Sequence, residues 1–463
     1  MQNLMNSILF NTDSYKVSMW KQYPENTEYV FSYIEARGND DTLFFGLQSF
    51  IKNYLSEIIT VNMVDLANKY WTTHGEPFNY AGWMYIAKEL KGKLPISIMA
   101  PKEGLVIPSK NALVTVTNTD PKCYWLTTWI EGALLRGVWY PTTVASNSKK
   151  IKNLIKEYLE KSGDVSTLPF KLHDFGLRGC SSNETASLGA AAHLVNFMGT
   201  DTYLGVLRLM QDYYADIGNT GFSIPASEHS TITSWGKENE VCAYENMVNQ
   251  FSKPGSVYAV VSDSYDIYNA CKLWSTTLKE KVVSSGGTLV IRPDSGDPIE
   301  VLPKMLRLLG ENFGVTYNDK GYLVLNNVKV IWGDGINYQS ISSILRVMVD
   351  LNGWSADNFA FGMGGALLGA PQRDDNGWAM KCSAIGVRES NKLIWRDVFK
   401  DPITDKSKKS KRGILNLRKT DDSSYYTTNE TFNSSVSEYY LVYENGELLR
   451  EQTIDEIREL SNL

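Results

Sequence analysis

The sequence predicts an α/β protein whose central part is either a barrel or a doubly wound sheet of parallel strands. From about residue 168, short apolar runs are each followed by a polar or glycine-rich cluster and then by a longer helical stretch. Continuous apolar runs that alternate with helices are typical of buried parallel strands in βαβ units. The runs that show this pattern are 169–172, 222–225, 258–261, 288–291, 328–332 and 359–361.

The two chain ends have a different pattern, which indicates a mixed α+β layer. Residues 94–118 read as strands separated by turn residues, while 124–138 and 146–161 have helical periodicity. Beyond about residue 380 the chain has a basic loop and then a hairpin signal at Asn445-Gly446. We therefore predict a mixed domain of residues 1–165 plus 382–463 and a central α/β domain of residues 166–381, which becomes the catalytic domain if the protein is an enzyme.

Composition and charge exclude several classes of protein. The 463 residues include 46 Lys and Arg against 52 Asp and Glu, a formal charge of −6 at pH 7. A main role in nucleic-acid binding needs clustered excess positive charge, which this balance does not provide. No run approaches the roughly 18 apolar residues of a membrane helix, a secretory signal is not evident, and five scattered cysteines form no CxxC pair. We expect a cytoplasmic protein with neither a nucleic-acid nor a membrane partner.

Three clusters at successive predicted strand ends have the chemistry of a sugar-phosphate site. In RPDSGDP (292–298), the planar guanidinium of Arg292 suits an oxyanion and the carboxylate of Asp294 suits a ribose diol. GDG (333–335) and GMGG (362–365) follow the next two strands, and glycine lets backbone N–H groups approach a phosphate closely. Each cluster alone is equally compatible with an ordinary tight turn, but their succession favours a ligand site.

A histidine and an aromatic residue are further candidates. His229, in SIPASEH, follows a predicted strand, and Asp263 at the next strand end can orient its ring. A lone histidine is more often structural than catalytic, and His173 has a weaker signal still. Phe175 lies three residues before Arg178 and either stacks on a planar ligand or closes the core.

Several of these blocks closely resemble the nicotinamide phosphoribosyltransferases, which are dimeric type II phosphoribosyltransferases. The blocks include HDFGLRG (173–179), GTDT (199–202), SIPASEH (223–229), SDSYD (262–266) and RPDSGDP (292–298), and the similarity covers nearly the whole chain. The resemblance implies an irregular α/β barrel packed on a mixed α+β layer formed by both chain termini. It also implies transfer of phosphoribosyl from phosphoribosyl pyrophosphate to nicotinamide in NAD salvage, with Mg²⁺, and with ATP hydrolysed through a phosphohistidine.

The resemblance also implies a role for each residue that matches a position of the family's motifs. Phe175 and Tyr15 of the partner subunit would stack on the nicotinamide ring, while Asp201 would bind its carboxamide and repel the carboxylate of nicotinate. His229 matches the phosphorylated histidine, with Glu228 and Asp263 as catalytic neighbours. The other substrate-binding positions, which would hold ring, ribose and phosphate groups, are Asp13, Arg178, Arg292, Asp294, Gly333, Asp334, Gly364, Gly365, Arg373, Lys381, Lys400 and Lys408. The metal ligands are not assigned.

Two other functions remain open from the sequence. A nicotinate phosphoribosyltransferase would have the same fold and chemistry, but Asp201 favours the amide over the acid. A non-catalytic ligand-binding relative would be expected to lose the ring and phosphate contacts, which this chain retains. Leu177, Met363 and Ala366 depart from the family pattern and are expected to affect the ribose-phosphate end of the site.

Overall fold

The computed structural model describes residues 4–405, 408–430 and 437–462, which form nineteen strands and fifteen α-helices. The strands are β1 (Thr27–Glu35), β2 (Thr42–Leu43), β3 (Ile96–Ala100), β4 (Val106–Ile107), β5 (Ala112–Asn118), β6 (Leu172–Asp174), β7 (Gly199–Thr200), β8 (Val257–Val261), β9 (Thr288–Arg292), β10 (Val315–Tyr317), β11 (Leu323–Leu325), β12 (Val328–Trp332), β13 (Phe359–Met363), β14 (Ala379–Glu389), β15 (Lys392–Asp397), β16 (Leu415–Lys419), β17 (Tyr425–Asn429), β18 (Tyr440–Glu444) and β19 (Glu447–Leu448).

The helices differ widely in length, and the longest has 32 residues. They are α1 (Leu47–Phe50), α2 (Val61–His74), α3 (Tyr80–Lys88), α4 (Leu126–Trp129), α5 (Glu131–Ser162), α6 (Asn183–His193), α7 (Tyr203–Tyr213), α8 (His229–Thr233), α9 (Glu240–Phe251), α10 (Ile267–Ser275), α11 (Lys279–Ser285), α12 (Pro298–Phe313), α13 (Tyr338–Leu345), α14 (Gly365–Leu368) and α15 (Ile454–Ser461).

The chain divides into two compact units. The first comprises Met1–Ser146, Leu209–Ala215 and Pro371–Leu463, and the second comprises Asn147–Arg208 and Asp216–Ala370. The boundaries predicted from the sequence, 165/166 and 381/382, differ from the observed ones at 146/147 and 370/371. The first of the observed boundaries falls inside helix α5, where hydrophobic periodicity gives no sign of a division.

Strands from both chain ends form one antiparallel sheet in the first unit. Its order is β15-β14-β1-β5-β3-β18-β19, so β14, β15, β18 and β19 from the C-terminal part flank strands from the N-terminal part. The predicted hairpin is formed by β18 and β19, with Asn445 at φ 51° and Gly446 at φ 85°, as a two-residue turn with both central residues left-handed requires. The prediction of a mixed layer built from both ends is confirmed.

Large aromatic side chains fill the core of the first unit. Trp83 and Trp129 are fully buried, and their rings lie 5.2 Å apart at 72°. Trp125 and Trp71 add further edge-on contacts to Trp129. Edge-to-face pairs of this kind contribute about 0.5–1.5 kcal/mol each beyond the area they bury.

The second unit contains the predicted parallel strands, in a six-stranded sheet of order β7-β6-β13-β12-β9-β8. The two edge strands are joined by an extended segment, 222–226, through single parallel bridges from Phe222 to Gly199 in β7 and from Ala226 to Ala259 in β8. The ring therefore closes through isolated bridges rather than through a full strand. This is the irregular α/β barrel that the family resemblance implies, and not the doubly wound sheet that the pattern of apolar runs also allowed.

Helix α12 shows why the helical stretches form where they do. The side chain of Asp297 accepts a hydrogen bond from the Ile299 N–H, and Pro298 occupies the first helical turn, which are favourable N-terminal signals. Five of its apolar residues recur at helical spacing and are buried: Leu302, Met305, Leu306, Leu309 and Phe313. The helix thus presents one apolar face to the core.

Two predictions of secondary structure were wrong in detail. Residues 222–225 were predicted as a strand, but they lie in an extended segment that makes only isolated bridges, at Phe222 and Ala226. Helices over 124–138 and 146–161 were predicted as separate, whereas α5 runs continuously through Pro141. A proline ring normally obstructs the carbonyl group four residues earlier, which for Pro141 belongs to Gly137. This glycine and the buried surroundings of the stretch outweigh the low helix propensity of proline.

The carboxylate of Glu103 fixes three parts of the first unit. It accepts hydrogen bonds from the N–H groups of Gly46 (2.7 Å) and Gln48 (2.7 Å), at the start of α1, and from the hydroxyl of Tyr213 (2.9 Å). Burial raises the pKa of Glu103, although these hydrogen bonds oppose the shift. Glu103 therefore caps a helix that is distant in sequence.

We predict that Glu103→Ala lowers the free energy of unfolding by about 3 kcal/mol, because two buried N–H groups lose their acceptor. Tyr213→Phe removes one of the three donors and is expected to cost about 1 kcal/mol. Urea denaturation followed by tryptophan fluorescence measures both changes. Equal losses in the two variants would contradict the role given to Glu103.

Candidate functional site

Most of the predicted site residues of the second unit lie at the carboxyl ends of its parallel strands. In a ring of parallel strands these ends meet at one edge, which is where active sites of α/β barrels form. The predicted residues at this edge are Phe175, Arg178, Asp201, His229, Asp263, Arg292, Asp294, Gly333, Asp334, Gly364 and Gly365. Six strand ends and the start of α8, which are far apart in sequence, thus contribute to one site.

The ring of Phe175 lies directly against the backbone of the neighbouring strand. A Cβ atom on Gly362 in β13 would lie 1.9 Å from a ring carbon of Phe175, and one on Gly333 would lie 3.3 Å away. The Phe175 N–H donates to the carbonyl of Met363 at 2.9 Å. The side chain is half-buried, so one side of the ring packs on protein while part of it remains accessible.

Asp201 follows β7 and is held by two donors. Nε2 of His173 lies 2.8 Å and Oγ of Ser223 lies 2.6 Å from the same oxygen, Oδ1. Burial by itself raises the pKa of Asp201, but these hydrogen bonds and the nearby charge of Arg292 outweigh it, so the net pKa is lowered. The Asp201 side chain is 49% exposed. It therefore presents an ionised carboxylate to a ligand.

A second histidine-carboxylate pair lies at the end of β8. Nε2 of His229 is 2.9 Å from Oδ1 of Asp263, and Ser295 donates to Oδ2 at 2.5 Å. Burial raises the pKa of Asp263, but the hydrogen bonds from Ser295 and His229 outweigh it and the net pKa is lowered. Since Asp263 holds Nε2, Nδ1 is the nitrogen of His229 that can react. Glu228 lies next to His229 in the chain, but its carboxylate accepts from Ser230.

The turn after β9 places a cation beside an acid. An Nη atom of Arg292 lies 3.3 Å from Oδ2 of Asp294, while its Nε is buried and has no hydrogen-bond partner among the described residues. A Cβ atom on Gly333, after β12, would lie 3.2 Å from Oδ1 of Asp294. The glycine thus allows Asp294 to approach the next strand end. A buried donor without a partner is suited to an anionic ligand.

The turns after β12 and β13 leave backbone accessible. Asp334 is exposed, and its carbonyl accepts from the Trp332 indole at 2.7 Å, which holds the turn. A Cβ atom on Gly365 would meet nothing within 4 Å, and one on Gly364 would meet only the Phe175 carbonyl, at 3.5 Å. Arg178 is exposed in the turn after β6. Arg178, Asp334 and Gly365 thus border open space.

The remaining predicted residues belong to the first unit. Asp13, Tyr15, Arg373, Lys400 and Lys408 are exposed, and Lys381 is half-buried in β14. Arg373 is paired with Asp374 at 2.7 Å, and Lys408 lies 3.4 Å from Asp405. In the basic loop, Lys406 and Ser407 lie outside the described residues.

Lys381 lies in a cluster of positive charge. Burial lowers its pKa; Glu131 opposes this effect, while Arg37, Lys400 and Lys16 lower the pKa further. Like charges destabilise one another unless an anion lies between them. This cluster is therefore an anion-binding candidate within the first unit.

A cavity of about 570 Å³ lies inside the barrel. Its lining runs from Val257, Thr288 and Phe359, at the amino ends of strands, to His173 and Ser223, the two residues that bind Asp201. The volume falls in the range of small-molecule pockets. The interior of the barrel is thus open as far as the residues that hold Asp201.

Sequence reasoning gave His173 only a weak signal, named Ser295 and Gly362 only as members of wider clusters, and did not single out Ser223. The signal for His173 was available, because Lys171, His173 and Phe175 alternate and therefore share one face of β6. Ser223 and Ser295 carried no signal of their own, since their acceptors lie at other strand ends. In the described part of the chain, no three His, Cys, Asp or Glu side chains converge as a metal site. Nor is any helix there long and apolar enough to cross a membrane.

Comparison with known proteins agrees with this geometry. Residues 170–443 match the model of the nicotinate phosphoribosyltransferase (NAPRTase) family, and residues 7–98 match the nicotinamide phosphoribosyltransferase N-terminal domain. The chain is 50% identical to a nicotinamide phosphoribosyltransferase of Xanthomonas campestris pv. campestris, with 98% of both chains covered. It is 30% identical to one from Acinetobacter baylyi, over 96% of this chain and 95% of that protein.

Solved structures share the fold at low sequence identity. A nicotinate-nucleotide pyrophosphorylase from Pyrococcus furiosus matches with a TM-score of 0.62 at 15% identity and covers 100% of this chain and 98% of its own. Human nicotinic acid phosphoribosyltransferase matches with a TM-score of 0.54 at 14% identity, covering 97% and 92%. The chain belongs to the nicotinate phosphoribosyltransferase (NAPRTase) family and carries the nicotinamide phosphoribosyltransferase N-terminal domain.

Proposed function

We propose that the chain is a nicotinamide phosphoribosyltransferase, a pentosyltransferase of NAD salvage. It transfers phosphoribosyl from phosphoribosyl pyrophosphate to the ring nitrogen of nicotinamide and releases nicotinamide mononucleotide and pyrophosphate. The observation that carries the substrate choice is Asp201, which is kept ionised by His173 and Ser223. A carboxylate accepts from a carboxamide NH₂, whereas it repels the carboxylate of nicotinate.

The transfer needs positioning more than covalent catalysis. Displacement at the ribose anomeric carbon passes through an oxocarbenium-like state, as in glycoside chemistry. Phe175 would stack on the pyridine, Asp294 would hold ribose hydroxyls and Arg292 would bind phosphate through its guanidinium, whose buried Nε has no partner among the described residues. Holding the pyridine nitrogen close to that carbon lowers the barrier by removing the entropy of encounter. Gly333, Gly364 and their neighbours leave space for the ribose 5-phosphate.

ATP is the proposed co-substrate, and His229 the residue it phosphorylates. Asp263 holds Nε2 of His229 and leaves Nδ1 for attack on the γ-phosphorus of ATP, with ADP as the leaving group. The Nδ1 lone pair forms the P–N bond, and water later cleaves that bond to release phosphate. The carboxylate of Asp263 stabilises the positive charge on the ring during both steps.

The active form is proposed to be a homodimer with shared sites. Tyr15 is 57% exposed and lies next to the buried Lys16, whose amino group is 2.6 Å from Glu131. Lys16 is anchored by this ion pair, and the ring of Tyr15 beside it faces outward. An exposed aromatic ring suits stacking on a ligand that a second copy of the chain binds. Asp13, Arg373 and Lys381 would act from the same partner, while Lys400 and Lys408 would bind pyrophosphate or ATP phosphates.

Mg²⁺ is proposed to enter with the diphosphate. Magnesium in phosphate sites commonly takes one or two carboxylates together with phosphate oxygens and water. Asp294, which an Nη atom of Arg292 contacts at 3.3 Å, and the exposed Asp334 have the oxygen donors for such a site. Bound there, the ion would neutralise charge on the pyrophosphate leaving group. The five unpaired cysteines favour a reducing compartment, and we place the protein in the cytoplasm.

The proposal predicts that nicotinamide and phosphoribosyl pyrophosphate give nicotinamide mononucleotide, and that ATP increases the yield. Product analysis by liquid chromatography with each pyridine, with and without ATP, measures this directly. Preferential conversion of nicotinate would identify a nicotinate phosphoribosyltransferase instead. Binding of either pyridine without any turnover would indicate a non-catalytic relative.

We predict that His229→Ala removes the stimulation by ATP but retains turnover without ATP and the affinity for nicotinamide, because the contacts that hold Asp201 come from His173 and Ser223 and not from His229. Initial rates at saturating nicotinamide, with and without ATP, provide the comparison, and the ATP-free rate serves as the internal control. Unchanged stimulation in the variant would rule out the phosphohistidine. Asp263→Asn is expected to weaken the stimulation without abolishing it.

Mixed dimers test whether sites are shared. Tyr15→Ala and Asp294→Ala are each expected to be nearly inactive. If one site uses Tyr15 of one copy and Asp294 of the other, a refolded equimolar mixture regains about a quarter of wild-type activity, because half of its dimers have one intact site. No recovery, with dimers verified by light scattering, would mean that each site is built from one chain.

A further inference from the structure

The carboxylate of Asp263 connects two segments of the chain that both belong to the candidate site. Nε2 of His229, the first residue of α8, lies 2.9 Å from Oδ1. The hydroxyl of Ser295, in the turn after β9, donates to Oδ2 at 2.5 Å. The backbone N–H of Asp294, in the same turn, also donates to this carboxylate. Asp263 thus joins the start of α8 to the turn after β9.

The surroundings of Asp263 suit a connection between protein segments rather than contact with a ligand. Its side chain is only 5% exposed, and its two oxygens accept from two different segments. Asp201 is the opposite case, because both of its donors bind Oδ1 and its side chain is half exposed. The oxygens of Asp263 are therefore engaged by protein groups, whereas Asp201 can meet a ligand.

The turn that contacts Asp263 also carries the proposed ribose and phosphate contacts. The backbone N–H of Asp294 binds Asp263, while its side chain is the group proposed to hold ribose hydroxyls. Arg292, proposed to bind phosphate, lies two residues earlier and contacts the Asp294 side chain at 3.3 Å. A ligand that fixes Asp294 therefore also fixes the groups that bind Asp263.

Both ends of this turn are held by regular structure. At its start, the carbonyl of Arg292 accepts from the Ser262 N–H at 2.9 Å, as part of the parallel pairing of β8 and β9. At its end, the side chain of Asp297 caps α12. The residues between, 293–296, have no such support, so we expect their contacts with Asp263 to determine their position.

We propose that Ser295 is a positioning residue that couples phosphorylation of His229, through Asp263, to the turn that binds the phosphoribosyl group. This inference rests on the proposed function of the chain. Through this contact, phosphorylation of His229 raises the affinity for phosphoribosyl pyrophosphate. By linkage, the bound ligand stabilises the phosphorylated histidine by the same factor.

The charge that phosphorylation places on His229 is the physical cause of the coupling. Transfer of the γ-phosphoryl group from ATP to Nδ1 releases ADP, keeps the proton on Nε2 and leaves the ring positively charged. The bond from Nε2 to Asp263 then joins two charged groups, and such bonds are shorter and stronger than bonds between neutral groups. This bond holds the carboxylate in one orientation. Ser295 then has a fixed acceptor, and its turn is ordered for the ligand.

Other contacts of α8 do not provide the same connection. Within the described part of the chain, the His229 ring has one hydrogen bond, the one to Asp263. The carboxylate of Glu228 accepts from Ser230 and so stays within its own segment. Ser264, next to Asp263, has a buried hydroxyl without a partner among the described residues. The connection from His229 to the turn therefore passes through Asp263.

The test compares the KM for phosphoribosyl pyrophosphate with and without ATP, at saturating nicotinamide. In the wild type we expect ATP to lower this KM about tenfold, within the usual range of coupling between two sites. In Ser295→Ala the decrease should shrink to about threefold or less, because only the N–H of Asp294 still connects the turn to Asp263. The measured quantity is the ratio of the two KM values within one variant, so a general loss of activity cancels.

Labelling with radioactive γ-phosphate from ATP separates this effect from a loss of phosphorylation. His229 and Ser295 bind different oxygens of Asp263, so Ser295→Ala is expected to form phosphohistidine to the wild-type level. Binding of phosphoribosyl pyrophosphate to the labelled and unlabelled enzyme, measured by rapid filtration without pyridine, gives the coupling at equilibrium. This second readout does not need turnover.

Further variants distinguish coupling through Asp263 from simple structural support. Ser295→Thr retains the hydroxyl and should keep most of the response to ATP. Ser264→Ala removes a neighbouring hydroxyl that has no partner among the described residues, and it should not change the response. In Asp263→Asn the response is already weakened, and adding Ser295→Ala should cause no further loss, because residues in one network are not additive. Circular dichroism verifies that each variant is folded.

The outcomes distinguish the inference from the function on which it rests. An unchanged KM on addition of ATP to the wild type, or a full response in Ser295→Ala, overturns the role of Ser295 and leaves the proposed function intact. Additive losses in the double variant, or loss of labelling in Ser295→Ala, also overturn it. Absence of nicotinamide mononucleotide from the wild-type reaction overturns the proposed function together with the inference.

Discussion

The extended segment that closes the barrel, residues 222–226, is the constraint on which the site depends, because the chain runs directly from it to His229 at the start of α8. It has one bridge to each edge strand of the parallel sheet, so its path is fixed at both ends. This path places Ser223 on Asp201 and His229 on Asp263. Ser223 lies in the extended segment and His229 is the first residue of α8, so one short stretch of chain supplies a contact to two different strand ends.

The two histidine-carboxylate pairs are both joined by a hydrogen bond between Nε2 and Oδ1. They differ in which of the two side chains is exposed to solvent. In one pair Asp201 is 49% exposed and His173 is 14% exposed, whereas in the other His229 is 46% exposed and Asp263 is 5% exposed. The exposed member is the one that can meet a ligand, and the buried member orients it. The first pair therefore presents a carboxylate suited to a carboxamide, and the second presents an imidazole suited to a phosphoryl group.

Much of the fold and of the candidate site could be predicted from the sequence, because the apolar runs and the polar clusters after them indicate where the parallel strands end. Asp263 and Arg292 were found in this way. The pairing of Asp201 with His173 was not, since β7 has only two residues and leaves no periodic signal. The path of 222–225 was also mispredicted: its composition is that of a strand, and only the neighbouring strands determine that it forms single bridges.

The balance of charge at the strand ends explains why the site remains open. Arg292 has an acidic neighbour, Asp294, yet their contact is long at 3.3 Å and the buried Nε has no partner within the described residues. A buried donor left unsatisfied costs about 1–3 kcal/mol. Glycine at 333 allows Asp294 to lean toward the next strand, which keeps the acid from neutralising the arginine completely. The fold thus retains an incompletely satisfied cation where a phosphate is expected, and the overall charge of −6 does not reveal it.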